Sequence, residues 1–197
     1  GIDSTWFDIK RTKNVSHELG LWGRMEEQKG ITELLYALKK VSIRIPDVML
    51  HLIGEGSMTE TYKKQAKQLG ILDKIIFHGW MGMNEIQKLS TKLAIGVFPS
   101  QVESFGLAMA EAMGAGLPII ATRVGALPEF IKDGVTGTLV PKKDSSFLCR
   151  AIIDVFEHPD RTDEIAAVGR EQVKNKFSWD KAAKRMTEIY QSVKHEV

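Results

Sequence analysis

Two glutamates bracket a short segment of small and apolar residues, Glu103 to Glu111, near the middle of the chain. The apolar run before it, Leu93 to Phe98, predicts a buried strand that Pro99 would end. Glu103 is therefore expected on a loop at the carboxyl edge of a sheet. That edge is where open α/β sheets bind their ligands.

The same segment predicts a helix with room for an anion at its amino end. If the helix starts near Ser104 or Phe105, its first backbone N–H groups have no helical partner and lie at the positive end of its dipole. These groups belong to Phe105, Gly106 and Leu107, and they form a site for an anion. Glu111 follows among alanines and methionines, and needs a donor that sugar or ribose hydroxyls would supply. The alternative is that both glutamates are ordinary solvated residues.

Two basic residues should start from the same edge of the sheet. Arg24 follows a predicted first strand at Glu18 to Gly23, and Lys29 comes at the start of the first helix. The planar fork of arginine and the point charge of lysine suit the oxygens of a diphosphate. Their convergence with the predicted anion site favours that interpretation over two ordinary surface cations.

Gly54-Glu55-Gly56 comes directly after the strongly apolar run Val48 to Ile53. Thr59 stands where a dinucleotide fingerprint would have its third glycine, and the motif follows the second strand instead of the first. We therefore expect a tight turn that lets backbone approach a ligand. The sequence has no phosphate-loop motif, nucleophile elbow or metal-ligand spacing, which disfavours phosphate-loop proteins, hydrolases and metalloenzymes.

Composition sets broader bounds. With 43% hydrophobic and 26% charged residues, the 197-residue chain can bury a core, and its net charge of +2 is too small to indicate nucleic acid. Lys63, Lys64 and Lys67 are expected to form a solvated helix face. Cys149, the only cysteine, rules out an internal disulfide and should be a small buried residue on a helix. No apolar run approaches the roughly 20 residues of a membrane span and no signal peptide is seen, so we expect a cytoplasmic location.

Short β-type runs alternate with helical patterns as far as Val140, and only helical patterns follow Asp144. This order predicts an α/β fold, a Rossmann-like doubly wound parallel sheet of about six strands with extra carboxyl-terminal helices. Asn84 and Ser178 are expected to cap helices. The predicted strands are 18–23, 48–53, 74–78, 93–98, 118–122 and 137–140, and the helices are 31–41, 58–69, 84–89, one through Glu111, one after Pro128, 145–157, 160–176 and 180–194.

A series of motifs follows along nearly the whole chain: Gly23-Arg24, Glu27-x-Lys29-Gly30, Gly54-x-Gly56, Pro99-Ser100-x-x-Glu103-Ser104-Phe105-Gly106 with Glu111 in the next helix, Gly116-x-Pro118-Ile119-Ile120-Ala121, Val124 to Glu129, Gly134 to Gly137 and Phe177 to Asp180. This ordered set resembles the carboxyl-terminal half of retaining GT-B glycosyltransferases of family 4, the glycosyl transferases group 1. Two departures stand out. Ser104 occupies a position that is often glycine in that family, and residues 15–22 are more polar than its usual first strand.

The resemblance implies a role for each matching residue. Glu103, Arg24 and Lys29 would be catalytic: the two cations would hold the diphosphate of a nucleotide sugar and stabilise the departing charge, while Glu103 lies against the sugar. Glu111 would bind the ribose, and the amides of residues 104–107 would contact sugar and distal phosphate. The base would lie between the Gly54–Gly56 turn and residues 78–81. The expected donor-binding residues are Gly23, Gly54, Gly56, His78, Trp80, Met81, Ser104, Phe105, Gly106, Leu107 and Glu111.

The resemblance also implies a second domain, an acceptor-binding half that precedes Gly1. Residues 1–15 would be a linker from it, and 178–197 a helix that crosses back to it through Trp179, Ile189 and Tyr190. The nucleotide sugar and that domain are then the expected partners, with no nucleic acid, no cofactor and no metal, and membrane association through the preceding half is an option. On this interpretation the chain alone binds donor without transferring sugar.

Two alternatives remain open. One is a nucleotide-binding or regulatory module that stands alone without catalysis, and a weaker one is a non-transferase GT-B relative such as a nucleotide-sugar epimerase. The spacing of Arg24 and Lys29 and the paired glutamates disfavour the second. Neither the sugar nor the nucleotide base is predicted.

Overall fold

A computed structural model describes residues 1–11 and 16–194, and it is built around one sheet of six parallel strands. The spatial order is β3-β2-β1-β4-β5-β6. The predicted doubly wound sheet is therefore confirmed. The strands are β1 Glu18–Trp22, β2 Met49–Ile53, β3 Ile75–Gly79, β4 Ile95–Phe98, β5 Ile119–Thr122 and β6 Thr138–Val140.

Helices cover both faces of the sheet. The chain runs outward from β1 to β3 and then returns to β4 and runs outward to β6 on the other side, so right-handed crossovers in these two directions place their helices on opposite faces. On one face α1 packs against α2 and α6, and on the other α4 packs against α7. The helices are α1 Ile31–Arg44, α2 Thr59–Leu69, α3 Met83–Ser90, α4 Leu107–Gly114, α5 Leu127–Phe130, α6 Ser145–Glu157, α7 Pro159–Phe177 and α8 Trp179–Lys194, with short 3-10 turns at Ser4–Asp8, Glu27–Lys29 and Leu72–Lys74.

The central strands β1 and β4 are neighbours although they are not consecutive in the chain. Apart from the partly buried Glu18 at the start of β1, both consist of buried apolar residues and glycine, as expected for strands covered on both faces. The strand order reverses between them, so the loops after β1 and β4 diverge and leave a crevice at their carboxyl ends. This crevice fixes where a ligand site can form.

Two predictions about helix starts are wrong. Helix α4 starts at Leu107 and not near Ser104 or Phe105, because Gly106 takes a left-handed conformation with φ +82° that interrupts the helix before it. Asn84 lies inside α3 and does not cap it. The carboxylate of Glu85 instead accepts a hydrogen bond of 2.8 Å from the backbone N–H of Gly82, and so provides a partner for a backbone donor at the start of the helix.

Several smaller predictions agree with the structure. Cys149 is buried on α6, and of the three lysines predicted on a solvated face, Lys64 and Lys67 are exposed and Lys63 is partly exposed. The hydroxyl of Ser178 accepts a long hydrogen bond of 3.4 Å from the backbone N–H of Lys181, in the capping position at the start of α8.

Residues 1–11 pack closely on this domain. The Ile2 N–H donates to the Phe177 carbonyl at 2.8 Å, and the Arg11 guanidinium donates to the carbonyls of Gly116 and Leu93, both at 2.6 Å. The remaining part of the predicted linker, 12–15, lies outside the described residues, as do the last three residues of the predicted crossover helix. Whether 1–15 connects to a further domain stays a prediction.

Helix α8 presents an apolar face to solvent. The side chains of Trp179, Met186, Ile189 and Tyr190 are all at least half exposed. Across residues 1–11 and 16–194, no helix combines the length and apolar character that crossing a bilayer requires. That α8 packs on a preceding domain remains a prediction.

Candidate functional site

A cavity of about 480 Å³ opens at the carboxyl edge of the sheet, at the crevice between β1 and β4. Its size is within the usual range for a small-molecule site. The structure brings eight predicted site residues together in its wall. The lining residues are Leu21, Trp22, Gly23, Arg24, Lys29, Phe98, Ser100, Glu103, Ser104, Phe105, Gly106, Leu107, Ala108, Met109 and Leu127.

Lys29 and Glu103 form an ion pair in this cavity. The Lys29 ammonium donates to Oε2 of Glu103 at 2.8 Å, and the two side chains are 23% and 18% exposed. Burial alone would raise the pKa of Glu103. The bond to Lys29 and its charge, with backbone N–H groups of Gly106 and Ser104, outweigh burial and lower that pKa below its usual value. Glu103 is therefore a fixed anion at neutral pH.

The amide groups at the start of α4 are divided between Glu103 and the cavity. The Gly106 N–H donates to Oε1 of Glu103 at 3.2 Å, so this predicted anion-binding amide already has a partner within the protein. The N–H groups of the first turn of α4, from Leu107 onward, have no acceptor in the helix because none precedes them. Leu107, Ala108 and Met109 all line the cavity. The positive end of this helix therefore lies at the site, two to three residues later than predicted.

Two glycines allow the Glu103 loop to lie so close to its surroundings. Gly125 has φ +53°, and a Cβ on it would overlap the carbonyl oxygen of Glu103. A Cβ on Gly106 would come within 2.8 Å of the Met109 side chain. The ring of Phe105 packs against Phe130 and Phe177 at centroid distances of 5.9 and 5.5 Å. The ring of Phe105 thus anchors the loop.

Arg24 is exposed at the rim of the cavity, and Gly23 beside it marks the end of β1. The Gly23 N–H donates to the carbonyl of Ile53 at 3.0 Å, which joins the loop after β1 to the end of β2. The two predicted cations therefore meet at one site. Arg24 faces solvent, and Lys29 is held inside by Glu103.

The turn at Gly54 and Gly56 is tight, as predicted, and neighbouring backbone is what approaches it. A Cβ on Gly54 would overlap the Gly23 carbonyl oxygen, and one on Gly56 would come within 2.5 Å of the Met25 carbonyl oxygen. The Gly54 N–H also donates to the Gly79 carbonyl at 2.7 Å. The turn thus connects the ends of β1, β2 and β3. Its contact with a ligand stays a prediction.

His78, Trp80 and Met81 lie at the end of β3, beside this turn and outside the cavity wall. Trp80 is largely exposed, and Met81 is half-buried. His78 Nε2 lies 2.8 Å from Nδ1 of His51, and burial lowers the pKa of both histidines. The structure therefore places the predicted base site along the same sheet edge, adjacent to the cavity.

Glu111 is half-buried on α4 and lies outside the cavity wall, but it contacts a residue that forms part of that wall. The indole N–H of Trp22 donates to Oε2 of Glu111 at 2.9 Å. Burial raises the pKa of Glu111, and the Trp22 bond opposes this rise. The donor expected for this buried carboxylate is thus supplied partly by the protein. Sequence reasoning missed Trp22, since an aromatic residue at the end of a buried strand resembles ordinary core.

The wall also contains residues to which the sequence analysis gave no site role, including Ser100, whose hydroxyl lies 3.4 Å from Oε2 of Glu103. Its position two residues after the end of β4 is the signal that could have identified it. Among residues 1–11 and 16–194, no three His, Cys, Asp or Glu side chains come together as metal ligands would. The expectation that no metal is needed stays a prediction.

Comparison with known proteins identifies relatives over most of the chain. The family model described as glycosyl transferases group 1 matches residues 5–172. Glycogen synthase of Mycobacterium tuberculosis is 29% identical over 98% of this chain and 47% of its own length. The chain spans about half the length of the curated relatives that it matches.

Solved structures agree with the fold. The C-terminal domain of a glycosyl transferase group 1 family protein from Francisella tularensis superposes with a TM-score of 0.81 and 28% identity, covering 91% of this chain and 100% of that one. An Anabaena protein, HepE, crystallised with UDP and glucose, has a TM-score of 0.87 over 98% of this chain and 55% of its own, and at 22% identity it supports the fold alone.

Proposed function

Because this chain belongs to the glycosyl transferases group 1 family, we propose that it is the donor-binding half of a retaining GT-B glycosyltransferase of family 4. It would bind a nucleotide diphosphate sugar, and the complete protein would transfer the sugar to an acceptor. The observation that carries the proposal is the cavity wall, where Arg24, Lys29 and the amino end of α4 converge at the crevice between β1 and β4. Two cations and a helix amino end are the surroundings that a diphosphate needs.

The electrostatics of the wall suit a departing diphosphate. In transfer, the bond from the anomeric carbon to the diphosphate oxygen breaks, a bond to the acceptor oxygen forms, and the acceptor hydroxyl loses its proton. Negative charge then collects on the diphosphate, where Arg24 and Lys29 would stabilise it. On binding, the Lys29 ammonium would be shared between Glu103 and a phosphate oxygen, since lysine has three donor hydrogens.

The two glutamates would have separate duties in this site. Glu103, held ionised by Lys29 and the Gly106 amide, would contact the donor sugar. Glu111 would accept from the ribose hydroxyls beside the wall that Trp22 forms. The base would lie further along the edge, between the Gly54–Gly56 turn and residues 78–81. A relative named GDP-mannose-dependent alpha-(1-6)-phosphatidylinositol monomannoside mannosyltransferase, 28% identical to this chain, supports a nucleotide sugar as the ligand class.

The complete protein would contribute the acceptor site. The chain covers about half of its curated relatives, and the exposed apolar face of α8 would pack on a preceding domain. We therefore propose that the chain alone binds donor and does not transfer sugar, that it needs no metal, and that the full protein works in the cytoplasm, with membrane association through the other half as an option. A regulatory nucleotide-binding module is the alternative.

Calorimetry with UDP, GDP and ADP and their sugars tests the binding site. We expect micromolar binding of at least one of them and a loss of about tenfold or more in Lys29→Ala, because a charge-assisted phosphate contact disappears. Lys63→Ala, which removes a surface lysine of α2, should bind like the wild type. Unchanged affinity in both Lys29→Ala and Glu111→Ala would refute the site.

A transfer assay separates the enzyme from the regulatory alternative. The protein encoded with its upstream sequence should transfer sugar to an acceptor with retention of the anomeric configuration, whereas the 197-residue chain should not. Transfer by the chain alone would contradict the proposed division between the halves. Tight nucleotide binding with no transfer by the full protein would favour the regulatory module.

A further inference from the structure

Trp22 has an unusual position for a core aromatic residue, because it belongs both to the buried sheet and to the cavity wall. It ends β1 and is 4% exposed, yet it lines the cavity. Its ring is held on two sides. Trp6 stacks parallel to it with centroids 6.0 Å apart, and the ring of Phe98 meets it nearly at right angles at 5.3 Å. These contacts leave the indole little freedom to turn.

The indole N–H is directed at Glu111. It donates to Oε2 at 2.9 Å, a charge-assisted bond to a half-buried carboxylate. Trp6 also packs on the same helix, since a Cβ on Gly114 would lie 3.3 Å from the Trp6 side chain, and residues three apart on a helix share a face. The stack of two indoles is therefore wedged between β1 and the face of α4 that carries Glu111.

We propose that Trp22 is a positioning residue for ribose recognition: its indole N–H holds Oε2 of Glu111, so that Oε1 is presented to the ribose hydroxyls of a bound nucleotide. This inference rests on the proposed function, because it assigns a ribose to Glu111. A carboxylate without this donor would have two equivalent oxygens and free rotation about its last torsion. The bond selects one orientation before ligand binds, which lowers the entropy lost on binding.

Trp6 provides the matched control within the same stack. It is also an indole, it is 1% exposed, and its Nε1 is buried with no hydrogen-bond partner among the residues that the structure describes. Trp22→Phe and Trp6→Phe therefore each shorten one member of the stack and remove one indole N–H. Only the first removes a bond to Glu111.

The test compares a nucleoside diphosphate with its 2′,3′-dideoxy analogue, using whichever of UDP, GDP and ADP binds the 197-residue chain most tightly. We expect the wild type and Trp6→Phe to prefer the ribose form by about tenfold, the effect of hydrogen bonds to a charged group. Trp22→Phe should lose most of that preference and keep its affinity for the dideoxy form. Melting temperatures measured alongside show that each variant is folded at the binding temperature.

A double-mutant cycle tests whether Trp22 acts through Glu111. If Trp22 acts through Glu111, then Trp22→Phe made in the Glu111→Gln background should change affinity for the ribose form by less than about twofold. Equal ribose preference in wild type and Trp22→Phe, or full additivity with Glu111→Gln, would overturn the inference and leave the donor site intact. A wild type that does not distinguish the two nucleotides would refute the ribose role of Glu111 and with it this inference, whereas the diphosphate site fails only if Lys29→Ala also binds like the wild type.

Discussion

Replacing Lys29 by methionine is the perturbation that tests the cavity most directly without any ligand. The substitution keeps a flexible chain of similar length and removes the ammonium that donates to Glu103 at 2.8 Å. Glu103 is then left in a half-buried place with a hydroxyl and backbone amides as its remaining partners. The protein should lose stability, because the carboxylate is partly desolvated and no longer paired.

The size of the loss follows from burial. Breaking a fully buried pair costs about 3–5 kcal/mol and breaking an exposed pair costs up to about 1 kcal/mol. With side chains 23% and 18% exposed, the Lys29–Glu103 pair falls between these limits, so we expect about 2 kcal/mol. For a chain of this length that corresponds to a fall of about 4–8 °C in melting temperature.

The loss should also depend on pH in a defined direction. The folded pKa of Glu103 lies below its reference value of 4.5, so the pair stabilises the protein above that value and its contribution disappears as pH falls through the folded pKa. In Lys29→Met, burial becomes the main influence on Glu103 and raises the pKa of its carboxyl group. Protonation of Glu103 then stabilises the folded variant. The stability difference between wild type and variant should therefore be largest at neutral pH and shrink towards about pH 4.

Urea unfolding followed by circular dichroism at both pH values measures this difference. The matched control is Lys63→Met, which breaks a pair with Glu60 at the same 2.8 Å but with side chains 43% and 75% exposed. That control should lose less than about 1 kcal/mol. A loss in Lys29→Met no greater than in the control, or one that grows on acidification, would refute the reasoning from burial.

Three further predictions follow from single residues. Gly125→Ala should destabilise the protein by several times more than Gly134→Ala in a thermal melt: both have left-handed φ, but a Cβ overlaps the Glu103 carbonyl only at Gly125 and meets nothing within 4 Å at Gly134. His51, whose pKa is lowered mainly by burial, should make the protein less stable as pH falls below 6.5, and His51→Asn should weaken that dependence in urea titrations. Nucleotide affinity measured by calorimetry should fall on acidification, because burial raises the pKa of Glu111 above its reference value of 4.5, and Glu111→Gln should remove much of this dependence.

The fold was predictable because its signals are local. Apolar runs such as Val48 to Ile53 and the punctuation at Pro99 locate strands within a residue or two, and the alternation of strand and helix leaves few topologies. The errors arose where a conformation depended on one residue. The left-handed conformation of Gly106 prevents α4 from starting earlier, and the side chain of Glu85, and not that of Asn84, caps the start of α3. A hydrophobic pattern does not reveal which residue ends or caps a helix.

The sequence predicted which residues form the site better than it predicted the hydrogen bonds between them. Topology alone brings Arg24, Lys29 and Glu103 to one edge, because each follows or adjoins a strand at its carboxyl end. The partner of each group could not be derived in this way. The contact between Trp22 and Glu111 joins residues 89 positions apart, and it depends on β1 lying beside β4 and on how α4 packs over them. Such a bond is a property of the packed structure.

Glu103 and Glu111, which bracket the central segment, lie in different surroundings, and this difference limits the chemistry that each can perform. Glu103 lies in the cavity with its pKa lowered by a cation and amides, so it holds no proton to give at neutral pH. Glu111 has its pKa raised by burial, but it lies outside the wall, and its Oε2 is occupied by the indole of Trp22. A general acid needs both a proton and access to the reacting atoms, and neither residue has both. Under the proposed function, the pair would therefore serve recognition and electrostatic stabilisation of the donor, and another group would carry the proton.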